Sequence, residues 1–115
     1  MFKINSEIGC FQITIGGITL SAGLGPVHCC DARYEKPVDG VFKSANVEVA
    51  LFAADGGAWM TKEIWKEVIG EDLDDDVVGW VTPEQFAQLI SYLNERNQNE
   101  SQSHVFYKLR QTRRV

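Results

Sequence analysis

Cysteine, proline and histidine are scarce in this chain of 115 residues, which contains three, three and two of them respectively. An odd number of cysteines without regular spacing excludes a disulfide-stapled scaffold and indicates free thiols. No apolar run reaches the roughly 18 residues needed to cross a bilayer, and the first residues lack the apolar core of a signal peptide. The sequence therefore predicts a cytoplasmic protein without a membrane partner.

Basic residues are also few outside the C-terminal end of the chain. The sequence has 16 acidic and 11 basic residues, which give a formal net charge of −5. Four of the basic residues lie close together near the end: Lys108, Arg110, Arg113 and Arg114. The rest of the chain is strongly acidic, which argues against direct nucleic-acid binding. Residues 111–115 are expected to form a basic tail, which either frays or contacts an anionic partner.

Hydrophobic residues make up 44% of the chain, and its length fits a single domain over residues 1–115. Alternating apolar and polar residues predict strands, and the pair Gly16-Gly17 between two of them is a hairpin signal. A polar linker at 97–103 is expected to precede the last strand. The predicted strands are residues 11–15, 18–21, 27–34, 47–51, a short return around Trp59, and 104–109.

Capping residues and apolar spacing predict two helices. Thr61 is expected to cap the first helix and Gly70 to end it. Thr82 is expected to cap the second, with Pro83 at its first position and Gln85 completing a capping box. The second helix carries one apolar stripe: Phe86, Leu89, Ile90 and Leu93. Together the elements predict an α+β fold, a mainly antiparallel sheet of about five strands with two helices packed on one face.

The consecutive residues His28, Cys29, Cys30 and Asp31 place two thiols beside an imidazole. A cysteine nucleophile needs a lowered pKa and a nearby histidine, so Cys29 or Cys30 with His28 or His104 would make a thiol-dependent enzyme. The alternative is that both cysteines pack as small apolar side chains in the core. Because neighbours in a strand point to opposite faces, and the C-x₂-C spacing of zinc sites is missing, no metal or other cofactor is predicted.

The segment of residues 71–76 is dense in carboxylates. Three of its aspartates match the first, third and fifth positions of an EF-hand loop, but Val77 stands where that loop needs glycine. Pro83 stands where it needs the bidentate glutamate, so an EF-hand is excluded. The aspartates of the segment are Asp72, Asp74, Asp75 and Asp76.

The acidic segment lies within a wider acidic region, residues 55–84, which contains nine acidic and two basic residues. A surface of carboxylates can occupy a basic groove and imitate a phosphate backbone. An acidic inhibitor that mimics nucleic acid through residues 71–76 is therefore one hypothesis. A solvated loop without a partner is the second, and a calcium or magnesium site of another kind is the third. Trp59 and Trp80 lie in the same region, and tryptophan is enriched at protein interfaces.

No motif for nucleotide binding, serine hydrolysis or a metalloprotease occurs in the sequence. The predicted function is a small binding or protein-interaction module whose partner is another protein or a second copy, as in a homodimer. A thiol-dependent enzyme and an acidic inhibitor are the alternatives. The candidate ligand or interface residues are Trp59, Trp80, Asp72, Asp74, Asp75 and Asp76.

Overall fold

Five antiparallel strands form one sheet in the computed structural model, which describes residues 1–25 and 28–113, with side chains as far as residue 99. Helix α1 (Thr61–Val68) lies between β4 and β5 in sequence, and α2 (Pro83–Arg113) follows β5. The α+β fold with its antiparallel sheet and two helices is confirmed. The strands are neighbours in chain order: β1 (Phe2–Asn5), β2 (Cys10–Ile15), β3 (Ile18–Gly23), β4 (Val47–Ala53) and β5 (Val78–Val81).

The predicted hairpin between β2 and β3 is present. Ile15 pairs directly with Ile18, so only Gly16 and Gly17 form the turn. Gly16 has a φ of 62°, a value that glycine adopts without the steric penalty of a side chain. The turn chemistry therefore fixes the register of the two strands.

Strand alternation gives the sheet one apolar face, which the helices cover. Residues directly opposite each other on adjacent strands share a face, as Ile13, Leu20 and Leu51 do. The helices add buried side chains to the same core: Ile64 and Trp65 from α1, and Leu89 and Leu93 from α2. The other face, called the open face below, carries mostly small and polar side chains: Gln12, Thr14, Thr19, Ser21 and Ala50.

Helix α2 begins with the predicted capping box. The main-chain N–H of Gln85 donates to the Thr82 hydroxyl at 3.2 Å, and the Thr82 N–H donates to the Gln85 side chain at 3.1 Å. Phe86 then packs edge to face against Phe11 of β2, with ring centroids 6.1 Å apart. The cap thus starts the helix at a point where its apolar stripe faces the sheet.

The far part of α2 differs from the prediction. The helix continues to Arg113, so the prediction of a polar linker at 97–103 followed by a strand at 104–109 is wrong. The polar run contains neither proline nor glycine, and its glutamine and glutamate residues are good helix formers, so nothing in it ends the helix. The predicted basic tail, residues 111–115, lies partly outside the described residues.

Helix α1 confirms one predicted end and corrects the other. The N-cap position is Met60 and not Thr61, which is the first helical residue and is fully buried. The predicted end is correct, since Gly70 has a φ of 90° and its N–H donates to the Lys66 carbonyl. Glycine at this position accepts the left-handed backbone that closes a helix.

Two of the five strands lie where the alternation did not predict them. Residues 28–34, the described part of the predicted third strand, form bends and turns. The edge strands β1 and β5 complete the sheet instead, each with only four residues. Within the described part of the chain, no helix is long and apolar enough to cross a membrane.

Candidate functional site

The segment that begins at His28 folds over one end of the open face. The Nε2 atom of His28 lies 2.7 Å from the Ile8 carbonyl, to which it donates, and Nδ1 lies 3.4 Å from Oε1 of Glu48. The imidazole ring of His28 fits here because it lies against Gly23 of β3, which has no side chain. A Cβ at Gly23 would overlap the ring. Both ring nitrogens of His28 are therefore close to groups other than a thiol.

Glu48 is the residue that ties this segment to the sheet. Its Oε2 atom accepts the main-chain N–H of Cys29 at 2.7 Å, while Oε1 faces His28. Burial favours the neutral carboxyl, but the hydrogen bonds from Cys29 and His28 outweigh it, so the pKa of Glu48 lies below its ordinary value. Glu48 is thus a charged acceptor in a partly buried site.

The same carboxylate makes Cys29 less reactive. The Cys29 thiol donates a hydrogen bond to Glu48, and this contact, together with burial and the negative charge, raises the pKa of the thiol. A raised pKa leaves less thiolate, which is the nucleophilic form. The structure therefore brings Cys29 and His28 together with a third group, but the arrangement protects the thiol instead of activating it.

Cys30 is buried, and its thiol forms hydrogen bonds with Gly25 in the loop beside it. Its sulfur accepts the Gly25 N–H at 3.4 Å, so it packs as a core side chain with a weak polar contact. The side chain of His104 lies outside the described residues. Among the residues that the structure describes, no three His, Cys, Asp or Glu side chains are grouped so that they could hold a metal ion.

A separate cavity of about 540 Å³ lies in the loop that follows this segment. None of His28, Cys29, Cys30 and Glu48 lines it. Its charged lining residues are of both signs: Asp31, Glu35, Lys36 and Lys43. The cavity is therefore not the pocket of a cysteine nucleophile.

The outer edge of β4 is built from two separate pieces of chain, residues 58–60 and strand β5. Residues 58–60 lie beside one half of β4: the Met60 N–H donates to the Leu51 carbonyl at 2.8 Å, and Trp59 bridges to Phe52. Strand β5 lies beside the other half, where Val49 pairs with Val78. We call these two pieces the outer edge, and each carries one half-exposed tryptophan.

The two tryptophans stand at different positions along the outer edge. Trp59 packs edge to face on Phe52, with ring centroids 5.6 Å apart, and is 53% exposed. Trp80 is also 53% exposed and lies opposite Glu48, because β5 has one extra residue between its two pairs with β4. Phe52 and Glu48, the β4 residues beside which Trp59 and Trp80 lie, are four residues apart, or about 13 Å at the rise of a strand.

Trp80 is held in an unusual backbone conformation. Its φ is 52°, a left-handed value that side chains other than glycine, asparagine and aspartate rarely adopt. Its N–H donates to the Cys29 carbonyl at 2.9 Å, so the segment after His28 fixes the conformation. Gly79 beside it leaves room for Cys29, since a Cβ there would approach the Cys29 Cβ to 2.7 Å. Glu48 accepts the Cys29 N–H, and the Cys29 carbonyl accepts the Trp80 N–H, so Glu48 holds Trp80 in place through Cys29.

Carboxylates flank the outer edge in sequence. Asp72 is exposed and pairs with Lys66 at 3.2 Å, a surface contact that contributes little to stability. Oδ1 of Asp75 accepts the N–H of Asp76, so this carboxylate shapes its own loop. Asp74 and Asp75 are exposed and Asp76 is partly buried. The predicted acidic residues therefore lie mainly at the surface, in the loop that leads into β5.

Sequence reasoning selected both tryptophans and the aspartates but missed Glu48. The signal that could have found it is a single carboxylate in an apolar strand, between Val47 and Val49. Comparison of the chain with protein-family models, curated proteins and solved structures finds no match.

Proposed function

We propose that this protein is a protein-interaction module that binds a basic segment of another protein at the outer edge. The observation that carries the proposal is Trp80, a half-exposed tryptophan held at a φ of 52°. A non-glycine residue in this region costs of order 1–3 kcal/mol, and such strain clusters at functional sites. Glycine would occupy the position without strain, so the presence of tryptophan there favours a role for its ring.

The charge of the surroundings supports a basic partner. The chain that forms and flanks the outer edge, residues 55–84, has nine acidic and two basic residues. Cationic side chains are attracted both to carboxylates and to the faces of indole rings, most strongly by arginine with tryptophan. Asp76 precedes Trp80 by only four residues, so an arginine-containing segment on the Trp80 ring would lie near the carboxylates of the loop that leads into β5.

The acidic inhibitor is compatible with this proposal, and the thiol-dependent enzyme is a separate alternative. An acidic inhibitor is the special case in which the basic segment belongs to a nucleic-acid-binding surface, and it uses the same residues. A thiol-dependent enzyme has less support, because Glu48 raises the pKa of Cys29 and both ring nitrogens of His28 face other groups.

The experiment is a calorimetric titration of the full chain with a short arginine-rich peptide. Trp80→Gly is the key variant, because it removes the ring and relieves the left-handed strain. We expect its thermal stability to stay within about 1 kcal/mol of the parent, since strain relief offsets the freer unfolded chain. Its Kd for the peptide should rise roughly tenfold, the equivalent of about 1.4 kcal/mol.

Matched controls separate the ring from the charge. Tyr34→Ala removes an exposed aromatic side chain outside the outer edge and should leave binding unchanged. The combined change Asp72→Asn, Asp74→Asn and Asp75→Asn keeps the hydrogen-bond acceptor of the loop but removes three charges, so affinity and its salt dependence should both fall. Equal binding by the Trp80→Gly variant and the parent would refute the role of the Trp80 ring, on which the proposal depends, and no binding by the parent would refute a basic partner.

A further inference from the structure

The core face of the sheet continues onto β1 without cover. Phe2 and Ile4 lie on the same face as Ile13 and Phe11, their partners in β2. Yet Phe2 is 80% exposed and Ile4 is 78% exposed, although the same face is buried by helices over β3 and β4. Two large apolar side chains on an edge strand form the kind of patch that marks an interaction surface or an aggregation hazard.

The main chain of β1 also has unpaired groups at its outer side. Met1 and Thr14 exchange both main-chain hydrogen bonds, at 2.9 and 3.1 Å. Because antiparallel pairs alternate, Lys3 and Asn5 also point their main-chain groups at β2. The N–H and C=O groups of Phe2 and Ile4 therefore point away from the sheet, where a further strand can pair with them.

From these observations we infer that β1 is a dimerisation strand, which pairs antiparallel with β1 of a second copy to make one continuous ten-stranded sheet. This interface is separate from the outer edge and does not depend on the function proposed above. A two-fold axis perpendicular to the sheet keeps the core faces of both copies on the same side. Phe2 and Ile4 of the two copies then form one apolar cluster.

The charges of the segment favour a second copy as the occupant. Lys3 lies near its start and Glu7 lies beyond its end, and both are exposed. Antiparallel pairing sets the positive end of one copy beside the negative end of the other. A strand with this charge order is complementary to itself.

Charge also selects the register. Facing residues must share a face, and a pair of Phe2 with Phe2 would engage only residues 1–3, which leaves two longer registers for the outward-pointing groups of Phe2 and Ile4. One pairs Phe2 with Ile4 of the second copy but sets the two Lys3 side chains directly opposite each other, which is unfavourable. The other pairs Ile4 with Ile4 on the axis and Lys3 with Asn5 of the second copy, and it is the register we propose.

The oligomeric state of the full chain tests this inference. Light scattering after size exclusion should give 12.9 kDa at low protein concentration and rise toward twice that mass as concentration increases. Ile4→Lys places two ammonium groups on the axis and should abolish the rise. Val38→Lys makes the same change at another exposed apolar residue, 74% exposed, and should leave the rise intact. At low protein concentration, where the parent is monomeric, thermal melts of both variants should match the parent, because neither side chain is buried in the single chain.

A backbone variant and a cross-link complete the test. Ile4→Pro removes an outward-pointing N–H and should also yield a monomer while preserving the fold, as proline is tolerated on an outer edge. Facing Cα atoms in a hydrogen-bonded pair are about 5.5 Å apart, within disulfide range. Ile4→Cys should therefore form a covalent dimer on mild oxidation, while Lys3→Cys and the parent should not.

Three outcomes would overturn the inference. These are a parent that stays monomeric at every concentration, an Ile4→Lys variant that still dimerises, and a Lys3→Cys variant that cross-links while Ile4→Cys does not. Peptide binding at the outer edge should be unchanged in Ile4→Lys, so failure of either proposal can be recognised without the other.

Discussion

The side-chain hydroxyl of Thr61 forms hydrogen bonds with the main chain of Leu51, as a neighbouring strand would. Oγ1 accepts the Leu51 N–H at 2.9 Å and donates to the Leu51 carbonyl at 3.2 Å. This contact lies where the outer edge is interrupted, between Met60 and Val78. A side chain at the start of α1 therefore supplies the acceptor for the Leu51 N–H, while the Leu51 carbonyl also accepts the Met60 N–H.

Replacing Thr61 with valine should destabilise the protein by about 1–3 kcal/mol, the cost of leaving the buried Leu51 N–H without an acceptor. Valine has nearly the same shape, so packing changes little. Thr61→Ser is the matched control, because it keeps the hydroxyl and removes only a methyl group, at a cost of about 1 kcal/mol. Urea unfolding of both variants measures the difference. A valine variant as stable as the serine variant would mean that the hydroxyl contact is unimportant.

Protonation of Glu48 should lower the stability of the protein in acid. Its pKa is lower in the folded than in the unfolded chain, so its contribution is fully present above the unfolded value of about 4.5 and is lost as pH falls through the folded value. Glu48→Gln keeps an acceptor oxygen but does not titrate. The difference in unfolding free energy between parent and variant should therefore shrink as pH falls below that range.

Denaturant unfolding at a series of pH values measures this difference. Glu67→Gln is a useful control, since Glu67 accepts a hydrogen bond from Tyr92 at the surface between the helices. A parent-to-variant difference for Glu48 that stays constant from neutral to acid pH would contradict the lowered pKa.

The thiol of Cys29 should react slowly in the folded protein, and it should react faster when Glu48 is replaced by the uncharged glutamine. Its pKa is raised by the hydrogen bond to Glu48, by burial and by the negative charge, so Glu48→Gln should lower that pKa and increase the thiolate fraction. Alkylation by iodoacetamide at mildly alkaline pH, with Cys29→Ser to assign the site, measures the rates. Fast labelling of Cys29 in the parent would instead support the thiol-dependent enzyme.

The elements that the sequence predicted correctly depend on residues close to each other in the chain. The Gly16-Gly17 turn and the capping box of Thr82 and Gln85 are complete within four residues, so they form the same way in many tertiary settings. The end of α1 at Gly70 has the same local origin. These signals were enough to determine an antiparallel hairpin, two helices and the α+β class.

Where the prediction differed, contacts between distant residues decided the structure. Thr61 has the chemistry of a helix cap, but Leu51, ten positions earlier, uses its hydroxyl. The alternating segment from residue 28 does not become a strand, because Glu48 and the Ile8 carbonyl bind His28 and Cys29. Local propensity is weak compared with a satisfied buried hydrogen bond, so tertiary context prevails.

The sequence by itself determined which residues are candidates for the site: two tryptophans, a run of aspartates and a pair of cysteines beside a histidine. Only the tertiary structure decided how they are used. It placed Glu48 against Cys29, which makes the thiol less acidic, and it fixed Trp80 in a strained, half-exposed position through the Cys29 carbonyl. Both effects arise across about 20 to 50 residues of chain, a separation over which local patterns carry no information and only the folded packing sets distance, burial and charge.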